Sequence, residues 1–170
     1  MTAAFKGLQP RELGLIAAAL ALVADQGSKL FMLYGAGFAD MPAGAAVPVL
    51  PFFNLMMVWN PGISYGLFPA SGKFGTVLLV AVSVLVVAFL IWWLWRSTSQ
   101  WLTAGFGFIL GGALGNVIDR LVYGKVADFF HFYGFGYDWY IFNVADVAIT
   151  IGAILIIYDV IKPEPMSSEV

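Results

Sequence analysis

The stretch Asn143-Val-Ala-Asp-Val-Ala-Ile-Thr-Ile-Gly-Ala-Ile-Leu-Ile-Ile157 decides the fold. Its apolar run, 147–157, predicts the last membrane helix of the chain, and Asp146 stands at the start of that run. A second aspartate, Asp128, ends a similar triplet, Val126-Ala127-Asp128. A carboxylate in or beside hydrocarbon costs about 2.5–3.5 kcal/mol on insertion scales, so it is rarely retained without a function. The two aspartates are therefore candidates for an acid pair that shares a proton.

The composition indicates a membrane protein. Of the 170 residues, 61% are hydrophobic and 11% are charged, whereas a soluble domain carries about 25% charged residues. The net charge of −2 gives no basic patch, so nucleic-acid binding is not supported. Cysteine is absent, which excludes disulfides and cysteine nucleophiles. The single histidine, His131, excludes an HExxH zinc site.

Four apolar stretches are long enough to cross a bilayer core of about 30 Å. They predict an all-α membrane protein, with one domain over residues 1–170 and transmembrane helices at about 13–33, 74–95, 102–122 and 143–161. With four spans, both termini lie on the same side of the membrane. Basic residues divide evenly between the two sides, so their count does not decide the orientation. The favoured orientation places both termini on the inner side of the membrane, because Lys29 and Arg120 lie in helix ends where they can serve the candidate acid pair.

Two longer segments lie on the side opposite the termini. Residues 34–73 are rich in Gly and Pro, and the composition of 47–59 predicts a small sheet on the membrane surface. Residues 123–142 are predicted to form a second loop, loosened by Gly134 and Gly136. The position of Asp128 in this loop suggests that the acid pair closes when substrate binds.

The N-terminal part of the chain also fits another interpretation. Lys6 and Arg11 followed by the apolar run 13–24 are typical of a cleavable signal peptide. The apolar run continues past Asp25, however, and three further spans follow it. A membrane helix is therefore the favoured interpretation.

Further polar residues lie at the ends of the predicted helices. Asp25 and Lys29 have the i, i+4 order of a helical ion pair. The pair is either structural, with Lys29 extended toward the surface, or it supports the candidate acid pair directly. Asn116, Asp119 and Arg120 share one helix face. They form either a structural network or a set in which Arg120 donates hydrogen bonds to peptide carbonyls.

Two asparagines have simple explanations beside functional ones. Asn60 lies in a turn rich in Pro and Gly, where a capping role is common. Asn143 fits the N-cap of the last helix, and Asp146 in the first turn gains from the helix dipole. Neither explanation extends to Asp128. Before Asn116, small residues predict the close approach of a neighbouring helix: Gly111, Gly112 and Gly115.

Two carboxyl groups within hydrogen-bonding distance cannot both ionise, so they titrate as a unit. One group holds a proton and the other accepts one, which is the arrangement that activates water for peptide hydrolysis. We therefore hypothesise that Asp128 and Asp146 share one proton and activate water in this way.

Other functions remain open on the residues alone. Serine proteolysis would draw on a few candidates: Ser28 or Ser71 with Lys29 or Lys73, and Ser64 with His131. Ser28 and Lys29 are adjacent and point apart on a helix. The string Gly134-Phe-Gly-Tyr-Asp138 departs by one tyrosine from the Gly-x-Gly-Asp signature of another intramembrane protease class. Intramembrane acids also occur in proton-coupled transporters, and a non-enzymatic scaffold is a third class.

Five segments together resemble the bacterial lipoprotein signal peptidase family (signal peptidase II). They are Asp25-Gln-Gly-Ser-Lys29, Asn60-Pro-Gly-Ile-Ser-Tyr-Gly66, Gly111-Gly-Ala-Leu-Gly-Asn116-Val-Ile-Asp119-Arg120, Val126-Ala-Asp128-Phe and Phe142-Asn143-Val-Ala-Asp146. They follow the family's order and spacing over nearly the whole chain. Residues 34–59 contain no segment that matches.

The resemblance implies an aspartic endopeptidase of the bacterial inner membrane. Four transmembrane helices, cytoplasmic termini, a periplasmic β-cradle and a short interfacial helix are expected. The substrates would be prolipoproteins that carry diacylglycerol, cleaved just before the lipid-modified cysteine. No cofactor is expected; membrane lipids and the inhibitor globomycin are expected to bind, and the chain is expected to be a monomer.

The resemblance also assigns roles to residues of this chain. Asp128 and Asp146 match the catalytic pair. Four residues match polar positions that line the active site: Asn60, Asn116, Arg120 and Asn143. The remaining matches, Asp25, Lys29 and Asp119, belong to motifs that support the site.

Overall fold

The computed structural model describes residues 7–42, 44–62 and 72–162, except for the side chains of residues 72, 73 and 76. Within these residues, four helices are long and apolar enough to span a membrane. They are α1 (Pro10–Leu30), α2 (Gly72–Arg96), α3 (Gln100–Tyr123) and α4 (Val144–Ile161). The multi-pass membrane architecture predicted from the apolar runs is confirmed.

The first helix begins before its apolar run. Pro10 occupies the first turn, where its missing N–H is not needed. The N–H of Gln9 donates to the Glu12 carboxylate at 2.8 Å, which satisfies one of the unpaired groups of the helix start. A π-helical turn, Phe31–Gly35, then extends α1 at its other end.

α3 lies at the centre of the bundle, with α1, α2 and α4 packed around it. Close packing depends on its glycines. A Cβ added at Gly111 would collide with the carbonyl of Ala18 on α1, and one at Gly112 with the carbonyl of Ala145 on α4. The predicted close approach of neighbouring helices is therefore confirmed.

The apolar side chains divide between a core and an outer surface. Leu94 and Leu110 are buried where α2, α3 and α1 meet. The opposite face of α2 is exposed, as Val77 and Leu85 show. A helix with a wholly apolar exposed face fits a lipid environment, because hydrocarbon solvates such side chains without cost.

In the described part of the chain, four strands form one antiparallel sheet in the order β1-β2-β3-β4. The strands are β1 (Ala46–Leu50), β2 (Phe53–Asn60), β3 (Val126–Gly134) and β4 (Tyr137–Phe142). The sheet follows the ends of α1 and α3 and precedes the start of α4, so it lies at one end of the bundle. Its core forms around Met32, Phe38 and Phe129.

The prediction of a loop over residues 123–142 is wrong. This segment is the β3–β4 hairpin, turned by Phe135 (φ 51°) and Gly136 (φ 79°). Two central residues of positive φ suit the right-handed twist of a hairpin. The aromatic residues of the segment favour strands, and they outweigh the glycines that indicated a loop. Asp128 therefore lies on a paired strand, opposite Val58.

The small sheet predicted for 47–59 is confirmed, and the hairpin makes it larger than expected. The short interfacial helix and the role of the sheet as a cradle stay predictions. In the described residues between α1 and β1, the chain forms the π-helical turn and a short 3₁₀ turn, Phe38–Asp40.

Candidate active site

Asn143 connects the two aspartates of the predicted pair. Its side-chain Nδ2 donates to Oδ1 of Asp128 at 2.6 Å, and its backbone N–H donates to Oδ2 of Asp146 at 3.3 Å. β3 supplies Asp128 and the first turn of α4 supplies Asp146. Two acids separated by 18 positions in the sequence thus bind the same residue.

The roles considered for Asn143 are compatible. Its Oδ1 accepts the N–H of Asp146 at 3.0 Å, which is an N-cap bond. Its Nδ2 remains available for Asp128. One asparagine therefore begins the last helix and fixes a carboxylate at the same time.

Asp128 is almost fully buried, with 2% of its surface exposed. The pKa of Asp128 is raised to about 7, chiefly by burial and secondly by the negative charge of Asp146. Hydrogen bonds from Asn60 and Asn143 act in the opposite direction. Because burial is the largest effect, this carboxyl group retains a proton close to neutral pH.

A second cluster of charges lies beneath the pair. Nζ of Lys29 is 2.9 Å from Oδ2 of Asp25 and 2.8 Å from Oδ2 of Asp119, and all three side chains are buried. Lys29 also donates to Oδ1 of Asn116 at 3.1 Å. The interpretation in which Lys29 extends toward the surface is wrong, because two carboxylates in the bundle hold its ammonium group.

The buried cluster binds the backbone next to each aspartate of the pair. Asp25 accepts the N–H of Ala145 at 2.9 Å, one residue before Asp146. Asp119 accepts the N–H of Ala127 at 3.1 Å, one residue before Asp128. The cluster thereby fixes the position of α4 relative to β3.

Arg120 and Asn60 organise the turn after β2. Nη2 of Arg120 donates to the carbonyl of Gly62 at 2.7 Å, and the N–H of Gly62 donates to Oδ1 of Asn60 at 2.9 Å. Asn60 in turn donates to Oδ2 of Asp128 at 3.0 Å. The guanidinium lies within electrostatic range of both Asp128 and Asp146. Arg120 does bind peptide carbonyls here, those of Asn116 and Gly62.

An open groove of about 510 Å³ runs beside Asp146. Aromatic side chains of β4 form one wall and the first turns of α4 form the other. Its lining residues include Trp139, Tyr140, Phe142, Asp146 and Thr150. A groove of this kind accommodates an extended or helical segment that approaches one carboxylate from the apolar side.

The serine-based alternatives find little support among the described residues. Oγ of Ser28 donates to the carbonyl of Asp25 at 2.7 Å, while Lys29 binds carboxylates. His131 contacts the exposed Asp138 at 3.3 Å. Ser64, Ser71 and the side chain of Lys73 lie outside the described residues.

Two residues of the site were not predicted from the sequence. Nε2 of Gln26 lies 3.1 Å from both Asp25 and Asp119; its place inside the Asp25–Lys29 segment was a usable signal. The hydroxyl of Tyr140 lies 3.0 Å from Nδ2 of Asn60. Tyr140 was not among the candidate site residues of the sequence.

Comparison with known proteins decides the family. The family model described as signal peptidase (SPase) II matches residues 17–162. The chain belongs to the signal peptidase II family. This assignment confirms the predicted resemblance, and with it the protease class and the link to lipoprotein processing.

Individual members of the family are similar over most of their length. The lipoprotein signal peptidase of Rhodopseudomonas palustris (strain TIE-1) is 44% identical over 156 residues, covering 89% of this chain and 93% of the relative. The lipoprotein signal peptidase of Methylobacterium sp. (strain 4-46) is 47% identical over 145 residues, covering 85% of this chain and 86% of the relative.

Two solved structures share the fold. A bacterial membrane enzyme determined by the in meso method at 2.3 Å superimposes with a TM-score of 0.77 at 29% identity, covering 94% of this chain and 93% of that one. A second such structure, at 1.9 Å, gives a TM-score of 0.74 at 29% identity, covering 90% and 95%. The bundle and sheet of this chain thus have the same architecture as these two membrane enzymes.

Proposed function

We propose that this protein is an aspartic endopeptidase that removes the signal peptide from diacylglyceryl-modified prolipoproteins. Cleavage occurs just before the lipid-modified cysteine, by a water activated between Asp128 and Asp146. The observation that carries the proposal is the shared contact of both carboxyl groups with Asn143, at the end of an apolar bundle. The names of the similar lipoprotein signal peptidases support the substrate class.

The chemistry follows from one proton held by the pair. The ionised carboxylate takes a proton from water, and the resulting hydroxide attacks the scissile carbonyl carbon. The protonated carboxyl donates a hydrogen bond to the carbonyl oxygen, where negative charge develops. When the peptide C–N bond breaks, the proton taken from water passes from its carboxyl group to the leaving amine. Burial of Asp128 strengthens these interactions, because the local dielectric constant is low.

The substrate approaches from the membrane. The apolar signal helix lies among lipid tails, and the groove beside Asp146 receives the peptide where it leaves the hydrocarbon. The acyl chains stay in the lipid while the cysteine backbone reaches the pair. In this arrangement the sheet acts as a periplasmic cradle, the termini are cytoplasmic and the enzyme resides in the inner membrane.

Partners follow from the same arrangement. One chain supplies the two acids and the side chains that hold them, so a monomer is sufficient and no cofactor is required. Globomycin is expected to occupy the groove beside Asp146 and to block cleavage.

The test uses purified protein and a prolipoprotein that carries diacylglycerol. Asp128→Asn and Asp146→Asn each replace a carboxylate by an amide of the same shape. Each is expected to lose at least about 10³-fold in cleavage rate, as general acid–base groups do. Asp138→Asn is the matched control, since that aspartate is exposed on β4 of the same hairpin. Its rate is expected to equal that of the parent.

Undiminished cleavage by either pair variant would refute the aspartic mechanism. A folded parent that leaves the lipidated substrate intact would refute the substrate assignment. Cleavage in the presence of EDTA is expected at the parent rate.

A further inference from the structure

Tyr140 is a residue of the site that the mechanism above does not use. It is half-buried on β4, and its hydroxyl oxygen lies 3.0 Å from Nδ2 of Asn60. The same nitrogen lies 3.0 Å from Oδ2 of Asp128. The tyrosine also lines the groove that contains Asp146. One side chain therefore borders both halves of the acid pair.

Three contacts fix the orientation of the Asn60 side chain. The N–H of Gly62 donates to Oδ1 of Asn60 at 2.9 Å, which requires an oxygen at that position. Nδ2 must then face Asp128 and Tyr140. An amide nitrogen carries two hydrogens, so one points at the carboxylate and the other at the tyrosine oxygen.

We propose that Tyr140 is a positioning residue of the acid pair, whose hydroxyl oxygen holds the Asn60 amide so that its other hydrogen points at Oδ2 of Asp128. Without that oxygen, one amide hydrogen in a half-buried site loses its acceptor. Rotation of the amide toward another acceptor then weakens the bond to Asp128. The inference rests on the proposed function and adds one residue to it.

The consequence for titration has a definite sign. The hydrogen bond from Asn60 lowers the pKa of Asp128, so loosening that bond raises it. Charged groups face Asp128 from three helices: Lys29 from α1, Arg120 from α3 and Asp146 from α4. A substitution at Tyr140 removes none of them.

The experiment compares Tyr140→Phe with the parent in cleavage of a diacylglyceryl-prolipoprotein. We expect kcat to fall about tenfold, the effect of losing one hydrogen bond, with KM within about twofold. The basic limb of the pH–rate profile is expected to move to higher pH. Tyr133→Phe is the matched control, because its hydroxyl contacts the Leu50 carbonyl near the hairpin turn. It is expected to behave as the parent does.

A double-mutant cycle tests whether Tyr140 acts through Asn60. In an Asn60→Ala background, Tyr140→Phe is expected to have no further effect on kcat or on the pH limb. A parent-like Tyr140→Phe enzyme would overturn the inference, and so would a full tenfold loss in the Asn60→Ala background. Unfolding temperatures in detergent verify that each variant is folded. Parent-like cleavage by Asp128→Asn would instead show that the proposed function itself has failed.

Discussion

An aspartate is ordinarily ionised at neutral pH, but burial makes Asp128 hold its proton near neutral pH. Desolvation has the largest effect on its pKa, and the neighbouring Asp146 adds to it. The amide donors from Asn60 and Asn143 keep the carboxyl oriented and oppose that rise. The residue is therefore balanced between two charge states, as the proposed water activation requires.

This balance predicts the pH dependence of cleavage. The pKa of Asp128 is raised to about 7, so in the proposed mechanism the proton held by the pair is lost near that pH. Above that pH Asp128 has lost its proton, and in the proposed mechanism no donor remains for the scissile carbonyl. We expect kcat/KM, measured from pH 5 to pH 9, to fall about tenfold per pH unit on the basic side. A rate that stays constant up to pH 9 would contradict this expectation.

Much of this candidate site was visible in the sequence at the level of single residues. The cost of a carboxylate beside hydrocarbon singled out Asp128 and Asp146. The sequence offered two roles for Asn143, and only the structure shows that one side chain fills both, with Oδ1 as the helix cap and Nδ2 on Asp128. The contact of Tyr140 with Asn60 joins residues 80 positions apart in the sequence, and no local pattern indicates it.

At the scale of elements, the packing of α1 on α3 connects the bundle to the chemistry. Gly115 faces the carboxylate of Asp25, and a Cβ there would overlap it. Asp25 also binds the N–H of Ala145 at the start of α4. A shift of this carboxylate therefore moves the helix that carries Asp146.

We predict that Gly115→Ala lowers both the unfolding temperature and the cleavage rate. The added methyl group is expected to displace Asp25 from Lys29. Removing one partner of a buried ion pair lowers the stability of a protein by about 3–5 kcal/mol, which sets the upper limit of the expected loss. Gly27→Ala is the control, since a Cβ at that helical glycine would meet nothing within 4 Å beyond its adjacent residues and its own helix backbone. Alanine favours helix there, so stability is expected to be equal or slightly higher. Equal stability and activity of the two variants would contradict the packing argument.

The elements themselves were predicted unevenly. The four helices follow from long apolar runs, because only such runs cross a bilayer. The β3–β4 hairpin was not predicted, because Gly134 and Gly136 indicate a loop, whereas they mark only the turn between two strands. The Asp25–Lys29 pair was visible from its spacing. Asp119, which also binds Lys29, lies on another helix, and only the folded bundle brings it near the pair.

At the scale of the molecule, the sheet and the turn between α2 and α3 lie at opposite ends of the bundle. In the proposed orientation, the sheet is exposed on the periplasmic side of the membrane and the turn between α2 and α3 on the cytoplasmic side. Because the chain has no cysteine, single cysteines report topology directly. With a membrane-impermeant maleimide on spheroplasts, Phe135→Cys at the hairpin turn is expected to react. Thr98→Cys, between α2 and α3, is expected to react only after permeabilisation; the reverse pattern would contradict the proposed orientation.

The central claim is that Asp128 and Asp146 act as one unit on a single proton. The most direct measurement is the single-turnover cleavage rate of Asp128→Asn, Asp146→Asn and the double variant on the same lipidated substrate. Residues that act together do not have additive effects. We predict that each single variant loses as much rate as the double variant. Losses that multiply in the double variant, or cleavage that survives either single substitution, would contradict the account.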